Sequence, residues 1–88
     1  MDRAEVVAFV EGNTLVFFDD GQSKFSPGGA YSYTYANGGG TAFGVFEVGA
    51  DGTVCIAYRN GFSRCDRYVR SGDRVVMLTA RGERFPIR

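Results

Sequence analysis

Eighty-eight residues provide for one domain, residues 1–88, with a small core, so a covalent staple is worth seeking. A hydrophobic fraction of 44% with eight Phe and five Tyr excludes a disordered chain, while two Cys and no His exclude a four-ligand zinc site and any Ser-His or Cys-His nucleophile. The net charge of zero removes the usual footprint of a nucleic-acid binder, but it is divided: residues 1–52 hold two basic against seven acidic side chains, and residues 53–88 hold eight Arg against three acidic ones.

In chain order, Met1-Asp2-Arg3-Ala4-Glu5 lacks the basic-then-apolar order of a signal peptide, and no later apolar run approaches the roughly 18 residues that span a bilayer. The chain is therefore expected to be soluble. Asp2 followed by Glu5 is a capping-box spacing, and Val6, Val7 and Val10 recur at helical period, which predicts a short helix over residues 3–11 stopped by Gly12. A strand over Val6–Val10 is the rival reading. A helix this short is marginal alone, so its apolar stripe must lie against a sheet.

Beyond Asn13, short apolar runs alternate with Asp20-Gly21, Pro27-Gly28-Gly29, Asn37-Gly38-Gly39-Gly40, Asp51-Gly52, Asn60-Gly61, Ser71-Gly72-Asp73 and Arg81-Gly82. These predict strands near residues 14–19, 30–36, 41–48, 53–59, 62–70, 74–80 and 83–87. The fold class is mainly β: an antiparallel meander of six to seven strands curled into a small barrel or sandwich, with the helix packed against it. The oppositely charged halves are expected to neutralise one another on a mixed surface, the alternative being a basic face made by the arginines.

Residues 53–65 form two strand-like arms about Asn60-Gly61. A two-residue turn would set Ile56 opposite Cys65 and stagger the cysteines. A three-residue loop over Arg59–Gly61, with Gly61 in a left-handed bulge, pairs Tyr58 with Phe62, Ala57 with Ser63, Ile56 with Arg64 and Cys55 with Cys65. The cysteines then meet at a non-hydrogen-bonded pair, close enough for a structural disulfide. Two reduced thiols acting as small apolar groups are the alternative.

The remaining motifs offer little chemistry. Ser23-Lys24 fails as a catalytic pair because neighbours on a strand point to opposite faces, and Asp19-Asp20 reads as turn initiation before Gly21. The glycines at 28, 29, 38, 39 and 40 lack the lysine and the following helix of a phosphate cradle. Tyr31, Tyr33 and Tyr35 alternate and share one strand face, either as core with hydroxyls reaching the rim or as an aromatic platform. With Phe46 they are the candidate ligand-binding residues.

The stretch Gly44-Val45-Phe46-Glu47-Val48, then Asp51-Gly52-Thr53-Val54-Cys55, Cys65 and a closing Gly-rich hairpin resembles small β domains of exported alphaproteobacterial proteins of unknown function. In that family a helix leaving through Gly-Asn-Thr precedes a Gly-x-Trp-x-Val strand, an Asp-Gly turn and two cysteines. Here Gly12-Asn13-Thr14 matches the helix exit, and Phe46 stands where the aromatic is usually Trp. The resemblance implies export and carries over no catalytic residue.

With no catalytic constellation, the expected function is a non-catalytic binding or interaction module of the cell envelope, periplasmic or otherwise exported; free thiols would place it in the cytoplasm. One alternative is a lipocalin-like carrier of a small apolar or aromatic ligand, lined by Phe17, Tyr31, Tyr33, Tyr35, Phe43 and Phe46. Another is a small enzyme using carboxylates or arginines alone. No metal or cofactor is expected. The expected partner is a protein or small ligand, without nucleic acid and without membrane insertion, and the chain is expected to be a monomer or weak homodimer.

Overall fold

In the computed structural model, which describes residues 1–88, Asp2 and Glu5 form the capping box their spacing predicts. The Asp2 carboxylate accepts from the Glu5 N–H at 2.9 Å, and the Glu5 carboxylate from the Asp2 N–H at 3.2 Å. The box starts helix α1 (Arg3–Val10), one residue shorter than expected because Glu11 already takes extended backbone as its C-cap. Val6 and Val10 are fully buried, and the Phe9 ring lies 6.2 Å from that of Tyr68. The helix therefore draws its stability from the sheet beneath it, as its length requires.

The chain then runs through β1 (Thr14–Val16), β2 (Gln22–Phe25), β3 (Ala30–Thr34), β4 (Thr41–Val48), β5 (Val54–Tyr58), β6 (Ser63–Ser71), β7 (Arg74–Leu78) and β8 (Arg84–Pro86). Each strand pairs antiparallel with its sequence neighbours, giving one sheet of order β1 to β8. There are eight strands, not six or seven. The strand the sequence conceals is β2, since Gln22-Ser23-Lys24-Phe25 carries a single apolar residue. Ser23 nevertheless faces inward, 2% exposed, and satisfies its hydroxyl against the Tyr31 hydroxyl at 2.8 Å. A satisfied buried hydroxyl stands where the pattern rule looks for an aliphatic side chain. Lys24, its neighbour, is exposed on the other face.

The first strand also ends sooner than expected. Asp20 takes left-handed backbone, φ 72°, and the Asp19 carboxylate accepts from the Gly21 N–H at 2.9 Å, so the chain turns after Phe17.

The sheet curls into a half-barrel. Its concave face buries Leu15, Phe17, Phe25, Tyr31, Val54, Ile56, Tyr68, Val75 and Met77 in one cluster with Val6 and Val10 of α1. The two ends of the sheet approach through a bridge between Phe17 and Ile87, and the Arg88 N–H donates to the Val16 carbonyl at 2.9 Å. Arg74 and Arg88 both lie over the Phe18 ring, at 4.6 and 5.8 Å from its centre, and Arg88 pairs with Asp20 at 2.6 Å. Arg70 meets Glu5 at 3.6 Å. Two arginines of the basic half thus neutralise acids of the acidic half, and both contacts tie the start of the chain to its end.

No helix of the structure is long and apolar enough to cross a membrane.

Candidate functional site

In an antiparallel meander, alternate hairpin loops gather at opposite ends. Helix α1 lies across one end, where Arg3 Nε approaches the Val48 carbonyl at 3.4 Å. The loops after β1, β3, β5 and β7 gather at the other end and leave a mouth. Side chains that point inward from the last strand residues at that end therefore converge, although they are far apart in sequence.

The central group is Arg64. It alternates with Asp66 on β6, so both face inward. Asp66 is 3% exposed and accepts two bonds from the guanidinium, from Nε at 2.8 Å and Nη2 at 2.9 Å. A fork-to-carboxylate pair of this kind fixes orientation as well as charge. Asp66 raises the Arg64 pKa further above its already high value, first through these hydrogen bonds. Its Nη1 has no hydrogen-bond partner in the protein.

Around the guanidinium stand aromatic rings. Phe17, Tyr33, Met77 and Phe85, with Asp19 and Arg64, line a half-open depression of about 70 Å³. Tyr35, Tyr58, Phe62 and Asn60, again with Arg64, line a second depression of about 160 Å³. The tyrosine ladder of β3 and Tyr35, the residue just after it, descends through this mouth by degrees: Tyr35 is 52% exposed, Tyr33 is half-buried, and Tyr31 is buried. The Tyr33 and Tyr35 rings meet edge to face at 4.9 Å, while Tyr31 meets Tyr58 at 6.0 Å. The ladder is thus core at its foot and accessible at its head.

Of the four candidate ligand-binding residues, Tyr33 and Tyr35 reach the mouth. Tyr31 is sealed into the core, and Phe46 packs edge to face on Phe25 with ring centres 5.0 Å apart. Phe43, named for the carrier's lining, points outward instead, 51% exposed beneath the Arg59 guanidinium. The sequence reading missed Arg64, Asp66, Asp19, Tyr58 and Phe85. A signal for Arg64 was present: in the predicted hairpin register it sits opposite Ile56, whose apolar side chain must face the core.

Burial dominates the titration of Tyr31, Tyr33, Tyr58 and Tyr68. It pushes the phenols of Tyr31 and Tyr68 far above their usual range, and those of Tyr33 and Tyr58 upward as well, with the Asp19 charge adding to Tyr33. Folded Tyr31 and Tyr68 therefore hold their protons more tightly than the unfolded chain does. Stability is full below the unfolded phenol pKa of about 10 and falls as pH rises beyond it, by about 2.7 kcal/mol per pH unit for two such groups. An alkaline titration followed by tyrosinate absorbance and circular dichroism should show the ionisation of Tyr31 and Tyr68 and the unfolding of the chain in one cooperative step. Ionisation of all five tyrosines with an unchanged dichroism spectrum would contradict it.

On the convex face, Cys55 and Cys65 are paired directly, with Cα atoms 4.0 Å apart and sulfurs at bonding distance. Ile56 pairs with Arg64 and Ala57 with Ser63; the Tyr58 N–H donates to the Phe62 carbonyl at 2.8 Å, and Gly61 has φ +92°. This is the three-residue bulged loop. Because Val54 and Ile56 fill the core, Cys55 faces outward, and an open groove runs over the disulfide between Val45, Ala57 and Ser63.

No group of three or more His, Cys, Asp or Glu side chains is placed to hold a metal ion. No family model, curated protein or solved structure matches the chain.

Proposed function

We propose that the chain is a non-catalytic binding module, exported to the cell envelope, that takes its ligand at the mouth of the half-barrel. One observation carries this reading: the Arg64 guanidinium, held by buried Asp66, stands among Tyr33, Tyr35 and Tyr58 at the end of the sheet that α1 leaves open. An apolar wall with a few fixed polar groups is the usual make-up of a small-molecule site. A charge oriented by a buried partner binds without first being ordered. Export is supported by the disulfide-distance cysteine pair on the convex face and by the family resemblance.

The size of the mouth separates this module from a lipocalin-like carrier. Carriers enclose ligands in roughly 300–1,000 Å³, whereas the two half-open depressions beside Arg64 hold about 70 and 160 Å³ and the core of the half-barrel is filled with side chains. The mouth accommodates the end of a ligand, with the remainder lying across the tyrosines.

A fragment screen followed by protein-observed NMR tests the reading. Hits are expected to shift the resonances of Tyr33, Tyr35, Tyr58 and Arg64. Tyr35→Ala, a substitution at an exposed ring, is expected to weaken them about three- to tenfold with little loss of stability. Hits confined to the groove over Cys55 and Cys65, or no hits, would overturn it.

A further inference from the structure

We infer that the mouth recognises a zwitterionic head group, a carboxylate and an ammonium a few bonds apart, joined to an aromatic or apolar tail. The inference rests on the mouth being the binding site and names the class of ligand it takes. The half-open space beside Arg64 has two charged walls, and they are opposite in sign: Arg64 and Asp19. Each has unused capacity. Asp66 takes Arg64 Nε and one Nη2 proton, which leaves Nη1 free. Asp19 spends one carboxylate oxygen on the Gly21 N–H, which leaves the other.

The remaining walls, Phe17, Tyr33, Met77 and Phe85, are largely apolar, so the charged partners that the protein offers a ligand in this space are these two side chains. A lone anion satisfies Arg64 but meets the Asp19 carboxylate. A lone cation satisfies Asp19 but meets the guanidinium. A head group carrying both charges satisfies both walls and leaves neither repulsion. At about 70 Å³ the space takes a head group and little else, so the tail must leave across Tyr33 and Tyr35, whose rings already stand edge to face at 4.9 Å and offer an aromatic surface. A free aromatic amino acid is the simplest molecule with this arrangement.

The test compares L-phenylalanine with its two single-charge relatives, phenethylamine and 3-phenylpropionate, by NMR titration of the intact oxidised chain. L-phenylalanine is expected to shift Tyr33, Tyr35, Tyr58 and Arg64 and to bind at least about tenfold more tightly than either relative. Asp19→Asn keeps an acceptor for the Gly21 N–H, and so the turn, but removes the charge. It is expected to weaken L-phenylalanine at least about tenfold and to leave 3-phenylpropionate unchanged or tighter. Arg64→Lys keeps a cation facing Asp66 and so protects the fold; it is expected to weaken L-phenylalanine and 3-phenylpropionate together.

Equal or tighter binding of either relative at the mouth, or L-phenylalanine binding that Asp19→Asn does not change, would overturn the inference while leaving the mouth a binding site. The absence of shifts with all three probes also overturns it, and the wider reading falls with it only when the fragment screen finds nothing at the mouth either.

Discussion

Phe25→Ala is expected to lower the stability of the chain by about 3–5 kcal/mol, a large part of the 5–15 kcal/mol that holds a typical domain together. Phe25 is 1% exposed and stands between Tyr31 and Phe46, with ring centres 4.9 and 5.0 Å away in edge-to-face contact. Truncation removes the transfer energy of the ring, leaves a cavity and breaks both aromatic contacts. The neighbours sit on paired strands and cannot collapse inward freely. Denaturant unfolding measures the effect as a shift in midpoint with little change in slope. Phe25→Leu, which keeps much of the volume, should cost about 1–2 kcal/mol. A loss below about 1 kcal/mol for Phe25→Ala would show that the aromatic cluster is not the centre of the core.

The second large effect concerns Cys55 and Cys65. A bridge across a sequence separation of ten constrains the unfolded chain, and loop-closure entropy gives about 2.7 kcal/mol for a loop of about that size. Replacing both cysteines by Ser should therefore lower the melting temperature by about 10–20 °C in a domain of this length. The convex-face position makes the comparison clean, because Ser at either position fills no core space. Intact mass under non-reducing conditions should fall two hydrogens short of the reduced chain. Two free thiols in native material would remove the main support for export, and an unchanged melting temperature in the Ser variant would show that the hairpin holds its register without the bridge.

Where local geometry decides, the sequence was easily read. The Asp2 to Glu5 spacing specified the cap of α1, and Asn60-Gly61 marked the hairpin but left two loop lengths open, of which the structure takes the three-residue bulged loop that fixes which residues of β5 and β6 face each other. The direct meeting of the cysteines follows from counting outward from that loop. The miss at β2 has the opposite cause: Ser23 faces the core because Tyr31 supplies a hydroxyl partner there, and no pattern within residues 22–25 can reveal a partner on the next strand.

The candidate site was read less well than the fold. The tyrosine alternation located Tyr33 and Tyr35 but could not say where along β3 the core ends, because that depth is set by the curl of the sheet. Phe43 was misplaced for a simpler reason: β4 alternates Phe43, Val45 and Glu47 outward against Ala42, Gly44 and Phe46 inward, so two aromatics three residues apart face opposite ways.

By itself, then, the amino-acid sequence determined a mainly β antiparallel meander behind a capped helix, and a hairpin about Asn60-Gly61 whose cysteines face one another once its loop is the bulged one. These depend on periods of two and 3.6 residues and on single turn residues, which act over a few positions of chain. Only the tertiary structure decided that eight strands curl into a half-barrel, that Glu5 and Asp20 neutralise Arg70 and Arg88, and that Asp19, Tyr33, Tyr58, Arg64 and Phe85 share one mouth. Those relations join residues up to 68 positions apart through the stagger and curl of the sheet, and hydrophobic patterning, which is blind to where the sheet bends, cannot encode them one segment at a time.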